Sequence, residues 1–202
     1  MIKNVVFDMG NVLIRYAPED FIKTYTSNTE NQKLLLDEIF YADLWQQFDR
    51  GTLTKEALVE RASAHLPIEL HRSVSDVLDT WYENMTPISE MEDILERLKA
   101  NGYDLYLFSN VSQDFHQFKH IIPGLDYFDG LFLSSDWKGL KPEKELYQMF
   151  FSYFDLAPSE CFFVDDSREN IEGAAALGME GHVFDGNISD LEQHFEQVGI
   201  RI

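Results

Sequence analysis

The sequence predicts an α/β fold, a parallel sheet of about five strands with helices on both faces, carrying an inserted all-α bundle. Three observations point there. Short apolar runs alternate with helical patterns along most of the chain. The runs are rich in Val, Phe and Leu without strict alternation, as strands covered on both faces are. One long stretch, 17–85, breaks the alternation and reads as helix throughout. The expected division is an α/β core from 1–16 and 86–202, with a helical cap from 17–85. The core is Rossmann-like in its alternation of strand and helix.

Taken in order, the strands are expected at Val5 to Phe7, Leu105 to Phe108, Leu131 to Leu133, Phe162 to Val164 and His182 to Phe184. In the inserted stretch Pro18 suits the first position of a helix, where its missing N–H costs nothing. Leu35 with Ile39, then Leu58, Ala62 and Leu66, sit at helical spacings, and Val74, Val77, Leu78 and Trp81 complete an i, i+3, i+4, i+7 stripe. A bundle of about four helices is expected from these. Met91, Ile94, Leu95 and Leu98 repeat the stripe, with a capping box expected from Ser89 and Glu92 and a stop near Gly102. Leu146, Met149, Phe150 and Tyr153 do the same after Pro142. Ser189 with Glu192 suggests a second capping box before the last helix.

The chain has 202 residues, 45% of them apolar, enough for one domain with a modest insertion. Its formal net charge of −20 repels polyanions, so no nucleic-acid partner is expected. No apolar run is long enough for a membrane span, and the first residues do not read as a signal peptide. The single cysteine, Cys161, makes no internal disulfide, and a reducing, cytoplasmic location is the expectation. The acidic field would also repel phosphate esters. A phosphate site in this chain must bring its own positive charge.

Four polar clusters each fall where a strand is expected to end: Asp8, then Ser109 and Asn110, then Lys141, then Asp165 and Asp166. Open parallel sheets bind ligands beyond the carboxyl ends of their strands, so these clusters should converge on one crevice. Adjacent carboxylates after a buried strand repel each other, and a nearby cation relieves that cost.

The segments Asp8-Met9-Gly10-Asn11-Val12-Leu13, Phe108-Ser109-Asn110, Lys141-Pro142-Glu143 and Val164-Asp165-Asp166-Ser167 resemble the four motifs of the haloacid dehalogenase superfamily of phosphatases. The first is most similar to the branch related to bacterial α-glucose-1-phosphate phosphatase. The resemblance implies a Mg²⁺-dependent hydrolase of a small phosphorylated metabolite, a sugar phosphate such as a hexose 1-phosphate. It implies Asp8 as nucleophile, Lys141 as charge neutraliser, and Ser109, Asn110 and Lys141 as holders of the phosphoryl group. It places the metal on Asp8, the backbone carbonyl of Gly10, Asp166 and Asp165. One departure stands out. The family pattern has a second Asp two positions after the nucleophile, and here that position is Gly10. General acid–base help is worth about 10²–10⁴-fold, so its loss implies a slow enzyme, a restriction to good leaving groups such as that of a sugar 1-phosphate, or a substitute in the cap such as Asp49 or Asp20.

Other features read as structural. His116 and His120 have the spacing of a helical metal pair but lack a third ligand, and Cys161 has no activating base. Trp45, Trp81 and Trp137 are read as packing residues, and Asp49-Arg50-Gly51 as a turn where the family often puts a substrate-selecting loop. The competing functions are a weakly catalytic binding or regulatory domain on the same fold, and a haloacid dehalogenase. The Asp165-Asp166 pair speaks against the dehalogenase, and the retained Asp8, Lys141 and Asp166 against the binding domain.

Overall fold

The computed structural model describes residues 1–202. Its main sheet is parallel and contains β1 (Asn4–Phe7), β4 (Asp104–Ser109), β5 (Gly130–Leu133), β6 (Cys161–Asp165) and β7 (Glu180–Val183), in spatial order β5-β4-β1-β6-β7. All five expected strands are present. The last begins two residues before His182 and ends before Phe184. A two-residue antiparallel pair, β2 (Ile14–Arg15) with β3 (Thr86–Pro87), stands apart from the sheet and fastens the two ends of the insertion together.

The pleat explains why these strands tolerate burial on both sides. Val5, Phe7, Leu105, Leu107, Phe162 and Val164 face one way into a core of 40 buried residues. Val6, Tyr106, Phe108, Phe132 and Phe163 face the other way into a second core of 12. The larger core continues without a break into the insertion through Leu58, Val74, Val77 and Leu78.

The insertion contains α1 (Pro18–Phe21), α2 (Thr29–Leu35), α3 (Asp43–Asp49), α4 (Lys55–Ala64) and α5 (His71–Thr80), joined by short 3-10 and π turns. Five helices replace the four expected because Pro18 opens a separate single turn. After the insertion come α6 (Glu90–Ala100), α7 (Phe115–Phe118), α8 (Ser134–Trp137), α9 (Lys144–Phe154), α10 (Arg168–Ala175) and α11 (Ile188–Gln197).

Two capping expectations are corrected. Ser89 precedes α6 but is itself helical, at φ −61° and ψ −27°, and its hydroxyl caps nothing. Before α11 the cap is Asn187, whose side chain accepts from the N–H groups of Ser189 and Asp190. Asn187 reaches those orphan donors first, which leaves Ser189 inside the helix. The stop at Gly102 holds, since that residue takes the left-handed φ of 86°.

Candidate active site

Strand order reverses at β1, because the chain fills β4 and β5 on one side before β6 and β7 on the other. Asp8 leaves the sheet at this switch point. Phe7 is in register with Leu107 and Val164, so Asp8 stands level with Phe108 and Asp165. Its backbone N–H donates to the Val164 carbonyl at 2.8 Å. Asp8, Asp165 and Asp166 offer carboxylate oxygens that lie within 4.8 Å of one another.

Lys141 closes this acidic group from below. Its ammonium is almost fully buried and lies 2.9 Å from Asp8 Oδ1 and 2.6 Å from Asp165 Oδ2, and it donates to the Phe108 carbonyl at 2.8 Å. The rings of Phe108 and Phe163 flank the same nitrogen at 5.3 and 5.1 Å. Burial alone would push the lysine down, but the Asp165 and Asp8 carboxylates outweigh it and hold the ammonium above its ordinary pKa. The positive charge required by the acidic surface is therefore fixed in the floor of the site.

The three carboxylates are treated differently. Asp165 is wholly buried, and its oxygens accept from Lys141, from the Ser167 N–H at 2.8 Å, and from Asn170 Nδ2 at 3.0 Å on each oxygen. Asp166 is exposed and accepts from Asn11 Nδ2 at 3.0 Å. Burial raises its pKa, and the Asn11 hydrogen bond opposes that. Asp8 is raised from 3.8 to about 6, chiefly by burial, with Lys141 pulling down and Asp165 pushing up. The Lys141 ammonium pairs with Asp8 Oδ1 at 2.9 Å, and no other protein donor reaches this buried oxygen.

The clustered carboxylates test whether a cation fits. Three carboxylates face one buried ammonium, and their mutual repulsion is a cost that a bound cation would relieve. An all-oxygen donor set at a dense negative charge suits a hard divalent ion such as Mg²⁺. Asp8 and Asp166 have oxygens to spare, and Asp165 is engaged by protein donors.

Two asparagines hold the loops, and only one was singled out in the sequence. Asn110 accepts from the Lys141 N–H at 2.8 Å and donates to the Lys141 carbonyl at 3.0 Å, so its amide clamps the lysine's backbone. It lines the cavity, and the clamp uses one of the two N–H donors of its amide. Ser109, buried beside it, lines the same cavity as Asp8. Asn11 takes the left-handed φ of 54°, accepts from the Tyr16 N–H and ties the first loop to Asp166. It stood in the first motif without an assigned role. Asn170 was also missed, because its contact with Asp165 is set by helix α10 rather than by any motif.

Above the carboxylates opens a cavity of about 330 Å³ between sheet and cap. Gly10 lies on its wall, and a Cβ added there would meet nothing nearer than Tyr16 Cβ at 3.9 Å. Asp49 lines the cavity from the cap. Burial lifts its carboxyl well above the ordinary range, with the Ser112 backbone and the Trp45 indole pulling part of the way back and the charges of Asp114 and Asp8 adding to the rise. Asp20 is on the outer surface, paired with Lys23 at 2.7 Å, and is not part of the cavity wall. The loop that carries Asp49 is bolted to the core. Ser134 Oγ donates to the Asp49 carbonyl at 2.6 Å, and Lys138 Nζ to the Gly51 carbonyl at 2.7 Å. Gly51 has a φ of 71°, and a Cβ there would stand 2.4 Å from the Ser135 carbonyl oxygen, so only glycine fits this approach.

Residues 2–178 match the haloacid dehalogenase-like hydrolases. The chain belongs to that family. Among characterised relatives, a sesquiterpene phosphatase of Aspergillus oryzae is 29% identical over 94% of each chain. A D-ribitol-5-phosphate phosphatase of Bacteroides thetaiotaomicron is 28% identical over 89% of this chain and 90% of its own length. A family enzyme of Bacteroides thetaiotaomicron, solved with magnesium and inorganic phosphate, superimposes with a TM-score of 0.68 at 26% identity, covering 95% of this chain and 99% of that one. The family match and these relatives together make the chain a phosphatase.

The remaining sequence features fall outside the site. His116 and His120 are exposed, and α7 ends before His120. Cys161 is buried, and burial pushes its thiol up to about 11. Trp137 stacks on Phe132 at 4.6 Å, while Trp45 and Trp81 line the cavity as well as packing. No helix is long and apolar enough to cross a membrane.

Proposed function

We propose that this chain is a Mg²⁺-dependent phosphomonoesterase that works through an aspartyl-phosphate on Asp8. The observation that carries the reading is the cluster of Asp8, Asp165 and Asp166 carboxylates, within 4.8 Å of one another, with Asp8 and Asp166 on the cavity wall and the Lys141 ammonium 2.9 Å from Asp8 Oδ1 beneath them.

Asp8, Asp166 and the Gly10 carbonyl would hold the ion, with Asp165 fixing Lys141 rather than ligating. When bound, the ion neutralises charge between the Asp8 carboxylate and the incoming phosphate. An Asp8 oxygen attacks phosphorus, the ester P–O bond breaks, and the leaving alkoxide takes a proton. Asp49 is our candidate for that proton, since it faces the cavity and its raised pKa keeps it protonated. It takes the place of the acid missing at Gly10. In the second step Asp49, now a carboxylate, accepts a proton from water as the water attacks phosphorus. Inorganic phosphate leaves and Asp8 is free again. Lys141 stays charged throughout, and Ser109 supports the phosphoryl oxygens.

We retain residues 17–85 as the cap over a core of 1–16 and 86–202. The similar enzymes are named for chemically unlike esters, a sesquiterpene's and that of D-ribitol, so they do not choose among substrates. The first motif alone suggests a hexose 1-phosphate, and the cavity wall is a separate guide to the substrate. Phosphate release with added Mg²⁺ tests the chemistry. Wild type should turn over, and Asp8→Asn should not. Equal rates in the two proteins would remove the covalent route.

A further inference from the structure

We infer that the preferred substrate is the monophosphate of an apolar alcohol, a hydrocarbon chain or ring, and not that of a sugar. This deepens the phosphomonoesterase reading and rests on it.

The cavity is polar at one end only. Asp8, Asn11, Ser109, Asn110 and Asp166 gather where the phosphate would sit. The rest of the wall carries Phe40, Tyr41, Trp45, Trp81 and Met85, with Tyr16 beside Gly10 and Asn11 at the border. No Lys, Arg or His lines the cavity, and Asp49, also at the border, is the one carboxyl that the cap contributes.

Two of these rings have their polar tips engaged outside the cavity. The Trp81 indole N–H donates to Asp114 Oδ2 at 3.2 Å, and the Tyr41 hydroxyl donates to Glu19. Trp81 and Tyr41 therefore present ring surface to the cavity, the Trp45 indole bonds to Asp49 within the wall, and the Tyr16 hydroxyl is the one aromatic donor left over. The rings also hold one another in place. Phe40 and Trp45 have centroids 4.6 Å apart, Trp45 and Trp81 5.1 Å, and Tyr16 and Trp81 6.1 Å. A wall locked by its own contacts is formed before the ligand arrives.

A hexose brings several hydroxyls, each needing a partner when taken from water, and this wall supplies few. A hydrocarbon needs none and gains from every methylene removed from water. The cavity volume of about 330 Å³ lies at the small end of the range for metabolite pockets, about 300–1,000 Å³.

The test is a homologous series of n-alkyl monophosphates, ethyl to octyl, run with Mg²⁺ beside glucose 6-phosphate and glucose 1-phosphate. Glucose 6-phosphate and the alkyl esters all expel primary alkoxides, so leaving-group chemistry is matched. We expect kcat/KM to rise at least about tenfold from ethyl to octyl, and octyl phosphate to exceed glucose 6-phosphate by at least about tenfold. Trp45→Ala should flatten the rise with chain length. Tyr41→Ala, at a residue 55% exposed and so tolerant of truncation, should flatten it less. A flat series, or a preference for either glucose phosphate, overturns the inference and leaves the phosphatase reading intact. A rise that persists undiminished in both folded variants also overturns it. No release from any ester, 4-nitrophenyl phosphate included, would overturn the phosphatase reading itself and the inference with it.

Discussion

At the sheet end of the cavity, charged groups are held by main-chain and amide partners. At the cap end, rings hold one another, and the polar atoms of Trp81 and Tyr41 are engaged outside. Asp165 alone receives Lys141, Asn170 and the Ser167 N–H, whereas Phe40, Trp45 and Trp81 meet only through ring contacts. The difference separates two tasks. Hydrogen-bonded charges fix a reaction centre within a fraction of an ångström, as phosphoryl transfer requires. Ring surfaces select by shape and by the loss of water, which binds a substrate without dictating its chemistry.

The sharpest way to break the sheet end is Lys141→Met. It leaves the Asp8 and Asp165 carboxylates facing each other without a cation. Breaking a buried ion group in this way costs about 3–5 kcal/mol, read as a lower midpoint in denaturant. Phosphate release should fall with it. Loss of activity at unchanged stability would mean that Lys141 does not hold the carboxylates together.

The border between the two ends is tested at Asp49. Asp49→Asn should lower kcat by about 10²-fold on esters with poor leaving groups, the low end of general acid–base effects. It should also remove the alkaline limb of the pH profile. Asp49 acts protonated, so activity falls as pH rises through its raised pKa. Because a side chain fits at position 10, Gly10→Asp in the Asp49→Asn background should restore most of the loss. No rescue would place the proton donor elsewhere.

A smaller effect is expected in Mg²⁺ binding. The Asp8 carboxyl is raised to about 6, so the proton is bound below that pH and competes with the cation. Apparent affinity by calorimetry should be flat above about pH 6 and fall about tenfold per unit below it. An affinity independent of pH down to 4.5 would take Asp8 out of the ligand set. Least of all, Arg50→Ala removes a half-exposed ion pair with Glu143 between cap loop and core. Its stability change should stay below about 1 kcal/mol.

The same contrast decides what could be read from the residues. Asp8, Ser109, Asp165 and Asp166 sit at or just past the ends of strands, where the exit from a parallel sheet fixes where a side chain goes, and Lys141 lies in the loop beyond α8 after β5. Their convergence was legible for that reason. The aromatic wall was not. Tyr16, Phe40, Trp45 and Trp81 come from four separate segments whose meeting depends on how short helices pack, and no spacing in the chain reports it. Trp45 and Trp81 were read as core, and their edges are core, but one face of each is cavity wall. Asp49 was proposed beside Asp20, and only the fold separates them, by bringing one inward and leaving the other paired with Lys23. The misread caps at Ser89 and Ser189 have a local cause, since a neighbouring residue or a helical backbone takes the donor first.

The central claim is a covalent bond from Asp8 to phosphorus. The most direct measurement is an acid quench of a single turnover with radiolabelled phosphate ester and Mg²⁺, followed by peptide mapping. The account predicts label on the peptide containing Asp8 in the wild type and none in Asp8→Asn. Label on another residue, or full turnover with no protein-bound label at any quench time, would contradict it.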